Sequence, residues 1–474
     1  MSWKYTGEMT DENVCNIFRD AADFIHRELR CGAHTLYAYA IDGLIAAATA
    51  SDYIFKPIVQ DLQAETIEQL YKQALDGRIY NCVAVPCKDL DQLARLIVNG
   101  FCVVLFPGMG AIGFEVKTPD KRGTSAPEVE NTLKGAKDAF VETVRSNTSY
   151  VRRHLRSPDL RIYETQVGRR SLTNVSVLWL DGVTNPKLID RMKTRLGSID
   201  IDGLLSPAAV EEYVTGSRFT PFPLLQFTER SDRFSQGLLE GRVGLLVDGL
   251  PAGYLAPVDI GYLMNSPEDR GRDFVSASWM RVLRYLALFV DLLLPALFVA
   301  MTVFHRNLLP ALLGDVIIKS KETVPFSAAW ETLGLLVAFE LLQETGVHLP
   351  RNIGSSVSII GGIVVGTAAA EAGILSPVAL IAVSLAGICG FVLPNRDLAT
   401  AVRVCRFALT ALASVWGLHG IVAGIVILLV HLCSLKSMGV PYVIPFEGGV
   451  MRRRLVKNKW RDTKLQPRDR KNQK

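Results

Sequence analysis

The stretch Ile353–Leu393 constrains this chain more than any other. It runs for 41 residues with one charge, Glu371, and breaks at Ser376-Pro377. Each half has about the length that crosses a hydrocarbon core, roughly 17–25 residues. The first half is crowded with Gly, Ala and Ser, which let helices approach closely and mark helix–helix contact. It reads as a packed membrane core rather than a tether. At helical spacing Val357, Ile360, Val364, Thr367 and Glu371 share one face. Ser358, Gly362, Gly366, Ala369 and Ala370 form a second, small-residue face suited to packing. In a ring of identical subunits Glu371 would make a carboxylate ring favouring cations. Ile360 and Val364 would make an apolar constriction that gates by dewetting; the alternative is that Glu371 snorkels at the helix end and the valines face lipid.

Other apolar runs surround this core. Val282–Phe304 reads as a span carrying Asp291 and Pro295. Ala328–Leu342 carries Glu331 and Glu340 and reads as an amphipathic or re-entrant helix with the stripe Leu333, Leu336, Val337, Leu341. Asp291 and Glu340 are the intramembrane carboxylates, a costly residue type that faces protein or water. Phe407–Leu435 reads as one long tilted span, or as a span led in at the interface by Arg403 and Arg406. Ile353–Gly373 and Pro377–Leu393 complete a set of four to six crossings.

Charge separates the chain into parts. Residues 452–474 hold 11 Lys/Arg and 2 Asp, a net +9. The chain total of +5 less that +9 leaves −4 for the rest, so the basic balance belongs to the tail. Such a tail suits the cytoplasmic face of an anionic bilayer better than nucleic acid, and no nucleic-acid partner is expected. Residues 1–20 lack a charged segment followed by an apolar run, so no signal peptide is expected. The eight cysteines include no CxxC pair and read as reduced thiols.

The first half of the chain is written twice. Thr35–Ile41 is an alternating β-type run ending at Asp42-Gly43, and Val175–Leu180 ends likewise at Asp181-Gly182, 139 residues on. Leu96–Gly108 matches Leu238–Gly249, with Gly100 and Gly241 141 apart. Two matches at nearly one offset indicate duplication. Each copy predicts a strand, a turn into a helix and a closing hairpin, Phe101–Phe106 with Ala111–Lys117 and Arg242–Val247 with Ala252–Val258. The expected division is an α/β subdomain at 1–118, a linker with a solvated connecting helix at 119–156, a second α/β subdomain at 157–275, a transmembrane helical domain at 276–446 and a basic cytoplasmic tail at 447–474. The connecting helix is predicted over Glu128–Leu155.

Chemistry-bearing motifs are sparse. Gly108–Gly113 spells GxGxxG, but a strand-forming sequence follows where a dinucleotide site needs a helix. The seven histidines show no ligand spacing. No catalytic residues, cofactor or metal site are expected from these patterns, and an enzyme is the least favoured reading.

Several long motifs carry a resemblance. Phe219–Phe234 (FTPFPLLQFTERSDRF), Leu238–Gly249, Ser266–Asp269 (SPED), Leu283–His305, Val357–Pro377 and Gly439–Phe446 (GVPYVIPF) are similar to the A subunits of bacterial spore germinant receptors, the GerA type. The resemblance spans roughly residues 35–446. It implies a multi-pass protein of the spore inner membrane with its N-terminal half facing the spore core. It also implies a homo-oligomer, a pentamer, that conducts cations on nutrient recognition. The implied partners are a permease-like B subunit, a lipoprotein C subunit and membrane lipid. A scaffold that does not conduct, a transporter component, and the related spore-membrane paralogue of the dipicolinate-channel operon stay open as alternatives.

Overall fold

Thr35–Ile41 and Val175–Leu180 each become the second strand of a five-stranded antiparallel sheet, and the two sheets are built alike. The computed structural model describes residues 5–60, 62, 64–77, 79, 83–117, 127, 130, 132, 134–216, 219–348 and 368–443, side chains at 313 and 345–348 excepted. Among these residues one compact unit comprises 5–216 with 225–257, and a second comprises 219–224 with 258–443.

The first unit holds both five-stranded sheets. The strands are β1 (Phe24–Cys31), β2 (His34–Ile41), β3 (Ala84–Cys87), β4 (Phe101–Phe106) and β5 (Gly110–Glu115), then β6 (Leu160–Val167), β7 (Thr173–Leu180), β8 (Gln226–Thr228), β9 (Val243–Val247) and β10 (Gly253–Ala256). Their orders are β1-β2-β4-β5-β3 and β6-β7-β9-β10-β8, one pattern used twice. Besides a helical run over residues 47–60, the main helices are α1 (Asp11–Ile17), α2 (Ile67–Leu75), α3 (Leu90–Val98), α4 (Val144–His154), α5 (Pro186–Gly197), α6 (Pro207–Thr215) and α7 (Ser231–Leu239). The closing hairpins are shorter than predicted, β5 ending at Glu115 and β10 at Ala256.

Side-chain alternation explains why the central strands are apolar throughout. Successive residues of a strand point to opposite faces. Leu36, Ala38, Cys102, Val104 and Phe106 enter a core with α2, while Tyr39, Ile41, Val103 and Leu105 enter another with α1 and α3. A strand covered on both faces reads as a continuous apolar run. The duplication reaches single atoms. Gly43 and Gly182 both take positive φ, +81° and +72°, at the turn after the second strand. Gly100 and Gly241 close α3 and α7, and each lies so near a carbonyl, Leu44 O or Val183 O, that a Cβ would come within 3.1 or 3.0 Å of it. Leu44 and Val183 are themselves 139 residues apart.

The connecting helix differs from expectation in length and setting. Helix α4 covers only Val144–His154, because the backbone upstream bonds to the second lobe instead of to itself. Phe140 N donates to Glu229 O at 2.7 Å, and Gly249 N to Glu142 O at 2.7 Å. Nor is α4 solvated. Asn147, Thr148, Ser149 and Arg152 are buried where it lies between the lobes. Arg152 donates twice to Asp23 at 2.7 Å, and Arg145 pairs with Asp42 at 3.2 Å and Glu164 at 2.9 Å.

The second unit is helical: α8 (Phe274–Val303), α9 (Ala311–Lys321), α10 (Ala328–His348), α11 (Pro377–Phe391) and α12 (Arg396–Ser434). Helix α8 starts eight residues before the predicted span, with Asp273 accepting from Val275 N and Ser276 N as its cap. Among the described residues α8 and α12 are long and apolar enough to cross a membrane, by length and composition. Helix α9 was not expected. Helix α10 continues past Leu342 to His348. Its buried face is Ala328, Glu331, Thr332, Leu335 and Leu336, while Val337 and Leu341 of the expected stripe are exposed. The reason is that Leu335 and Leu336 pack with Phe298, Val299, Ala382 and Val383.

Helix α12 is a hairpin. Gly417 has φ 58° and ψ −135°, outside the helical region, and the chain doubles back there. A Cβ on Gly420 would lie 2.2 Å from Leu412 O, and one on Gly424 2.4 Å from Leu409 Cδ2. In a straight helix residues 409 and 424 would be about 22 Å apart at 1.5 Å per residue. The small residues Gly417, Gly420 and Gly424 thus line the seam between the arms, as close helix packing requires.

Candidate functional site

Four charged side chains converge where α8, α10, α11 and α12 meet. Asp291 lies on α8, Glu340 on α10, and Arg403 and Arg406 on α12 one turn apart. Arg406 Nη1 donates to Asp291 Oδ1, and Arg406 Nη2 to Glu340 Oε1 at 3.3 Å. Arg403 Nη1 donates to Glu340 Oε2 at 3.0 Å and to Gln343 Oε1. The side chains of Asp291 and Arg406 are 0% and 1% exposed, whereas Glu340 keeps 34%. Two carboxylates and two guanidiniums make the cluster formally neutral. That neutrality is what permits ions among apolar helices, because an isolated buried charge costs far more than a paired one.

The cluster is not saturated. Among the described residues Asp291 Oδ2 and Arg406 Nε have no hydrogen-bond partner. Gly390 of α11 is what admits the carboxylate, since a Cβ there would lie 3.1 Å from Asp291 Oδ2. Arg406 is therefore not an interfacial lead-in. It is the central cation of a buried network, and Arg403 is its neighbour on the half-exposed side.

A second buried acid does structural work nearby. Glu331 accepts from the backbone N–H of Ser376, pairs with Lys321 Nζ at 2.9 Å, and so holds the start of α11. Ser376 in turn caps that helix by accepting from Ala379 N at 3.2 Å. The Ser-Pro break of the sequence is this cap, with Pro377 in the first turn.

The predicted pore-lining residues Val357, Ile360, Val364 and Thr367, and the packing residues Ser358, Gly362 and Gly366, lie outside the described residues. Glu371 ends the one-turn helix Ala369–Glu371 and is exposed, with Ala369 and Ala370 half-buried beside it. The structure brings Asp291 and Glu340 together through Arg406 and does not bring Glu371 to them. The sequence signal for the network was the cost of its carboxylates. The partner arginine is 115 residues from Asp291, and no spacing rule links them.

The FTERSDRF segment is a clamp on residues upstream of α4. Arg230, 1% exposed, donates to Thr132 Oγ1 at 2.8 Å and Ala136 O at 2.9 Å, and Arg233 pairs with Glu130. Asp138 accepts from Ser231 Oγ and pairs with His154 at 2.8 Å. Its carboxyl is held well below the usual carboxylate range, chiefly by the His154 hydrogen bond and despite partial burial. Gly108 lies in the β4–β5 turn and Gly110–Gly113 in β5, so the glycine motif runs into a strand and not into a helix.

The chain is 34% identical over 454 residues to the membrane protein YfkQ of Bacillus subtilis (strain 168), covering 95% of this chain and 88% of that one. It is 34% identical over 430 residues to spore germination protein KA of the same organism, covering 90% and 79%. A crystal structure of the N-terminal domain of the A subunit of the Bacillus megaterium spore germinant receptor GerK3 aligns at 24% identity and TM-score 0.40, over 52% of this chain and 91% of that one. The family described as Bacillus/Clostridium GerA spore germination protein matches residues 12–469, nearly the whole chain. The chain belongs to the GerA family of spore germination proteins.

Proposed function

We propose that this chain is the membrane subunit of a spore germinant receptor and that, as a homo-oligomer, it forms the path by which cations leave the spore on nutrient recognition. The observation that carries the reading is a neutral ion network, buried at Asp291 and Arg406, among long apolar helices, in a chain of the GerA family. Such a network suits a protein that holds charge within a bilayer. We place the protein in the spore inner membrane as a multi-pass protein with both termini cytoplasmic. A permease-like B subunit and a lipoprotein C subunit are its partners, and a pentamer is its assembly. The working division is an α/β pair at 1–118 and 157–275, joined through 119–156, with helices at 276–446 and a lipid-facing tail at 447–474.

In this reading the face Val357, Ile360, Val364, Thr367 and Glu371 lines the path. Shrinking the constriction by Val364→Ala wets the pore and gives germination without nutrient. Glu371→Gln lowers cation flux without blocking assembly. Purified protein in liposomes loaded with a cation-sensitive dye measures conduction directly. Dormant Val364→Ala spores together with normally germinating Glu371→Gln spores, at wild-type protein levels, would remove this helix from the path. Liposomes that never leak would favour the scaffold reading.

A further inference from the structure

We propose that Asp11, Cys15 and His26 form a binding site for a divalent transition metal of the Zn²⁺ class, at the base of the first lobe. Asp11 and Cys15 stand one helical turn apart on α1, and His26 reaches them from β1. Asp11 Oδ1 lies 2.9 Å from His26 Nε2 and 3.7 Å from Cys15 Sγ, and one ligand atom from each residue falls within 4.8 Å of the others. A tetrahedral zinc with bonds of roughly 2.0–2.3 Å sets its ligand atoms about 3.3–3.8 Å apart. Small side-chain rotations bring the three atoms to that spacing. Carboxylate, thiolate and imidazole are the donor set for this metal class, and the set carries a charge of −2 when loaded.

The surroundings are those of a metal site. Tyr39 Oη donates to Asp11 Oδ1 at 2.7 Å, the kind of outer bond that orients a ligating carboxylate. The His26 ring is stacked against Tyr37 and Tyr39, at centroid distances of 5.9 and 5.6 Å, which fixes its plane. His26 is exposed while Asp11 and Cys15 are half-buried, so the open side faces solvent and leaves a fourth position for water. A hydrogen-bonded trio alone gives the thiol little to do, because S–H is a weak donor. The sequence concealed this trio because its histidine comes from a different element, eleven residues past Cys15.

The location gives the metal a consequence. Its ligands sit on α1 and β1, either side of residues 18–23, and that loop carries several of the contacts between the lobes. Ala22 N donates to Ile162 O at 2.9 Å, Ile162 N to Asp20 O at 3.2 Å, and Arg161 reaches Ile17 O and Arg19 O. Asp23 accepts from Arg152. A bound metal ties both ends of the loop together and stiffens the junction.

The test uses the full chain in detergent, stripped with a chelator. Titrated Co²⁺ is expected to give one equivalent of a tetrahedral spectrum with a thiolate-to-cobalt charge-transfer band. Cys15→Ser is expected to remove that band, and His26→Ala to weaken binding about tenfold or more. Zn²⁺ is expected to slow alkylation of Cys15, read by mass spectrometry, and to leave the exposed Cys433 unchanged. A native protein without the band, a band that survives Cys15→Ser, or Cys15 alkylation indifferent to Zn²⁺ would each overturn the site. The native-protein measurements need no variant to fold.

Discussion

Removing the Asp291 carboxylate while keeping its shape, by Asp291→Asn, should strand Arg406 among apolar helices. Breaking one side of a buried pair costs about 3–5 kcal/mol, because the remaining charge keeps its desolvation penalty. Here the loss falls toward the lower end, since Glu340 still accepts from Arg406 at 3.3 Å. The reverse change, Arg406→Leu, should cost less. A stranded carboxylate relieves its charge by taking up a proton, whereas a guanidinium cannot lose one. The double variant Asp291→Asn/Arg406→Leu removes both charges and should recover most of the loss, since apolar replacement of a whole buried pair is close to neutral. Thermal unfolding in detergent and steady-state abundance of the protein in spores measure all three. The expected order of stability is wild type, then the double variant, then Arg406→Leu, then Asp291→Asn. Additive losses in the double variant, or an Asp291→Asn protein as stable as wild type, would show that the pair contributes nothing through its charge.

Two further outcomes follow from the lobes. Gly182→Ala should destabilise the first unit by about 1–3 kcal/mol, through positive φ alone. Gly43→Ala should cost more, because its Cβ would also lie 1.9 Å from Ser149 Oγ, and Ser149→Gly should recover that excess; melting followed by Trp179 fluorescence separates the cases. Asp138 has a depressed carboxyl, so its contribution is present above the unfolded carboxylate range, near pH 4, and is lost only as pH falls through its lower folded value. Asp138→Asn should therefore lower stability at neutral pH and flatten the acid limb of the unfolding curve; identical acid limbs would contradict the His154 pairing.

What the sequence made legible was set by local physics. The second and fourth strands of each sheet could be placed because their residues alternate between two cores or stop at Asp-Gly turns. Strands β1 and β6 were missed because Phe24–Cys31 and Leu160–Val167 are edge strands carrying charges along their length, the composition that protects an edge. The burial of α4 was illegible for another reason. Its Arg145 and Arg152 are paired with Asp23, Asp42 and Glu164, which lie on other elements, while Asn147, Thr148 and Ser149 are satisfied close by, at Val141 and Arg145. At the candidate site the costly carboxylates announced themselves, but Arg403 and Arg406 read as an interfacial cluster. The turn at Gly417 was hidden because Trp416-Gly417-Leu418 carries no proline or polar breaker.

That turn bears on how the helical half crosses a membrane in the proposed function. The two arms of α12 hold 21 and 17 residues, counted on either side of Gly417. At 1.5 Å per residue these are about 31 and 26 Å, close to a hydrocarbon core of roughly 30 Å. Helix α10, at 21 residues, has the same reach. These lengths suit six crossings, with α10 and each arm of α12 crossing once. A hairpin also returns its ends to one side, so Asn395 and Leu435 lie on the same side. With the basic tail at the cytoplasmic face, the connection before α12 is cytoplasmic too, which agrees with the positive-inside tendency for Arg396. Four crossings with α12 as a single span place that connection on the opposite face. Arg403 and Arg406 carry little weight in the choice, since both are paired to acids on neighbouring helices. The prediction is that single cysteines at Arg396, which is exposed, and at Asn472 react with an impermeant thiol reagent from the same side of sealed vesicles. Labelling from opposite sides would mean that the hairpin does not span the bilayer as a unit, and six crossings would fall with it.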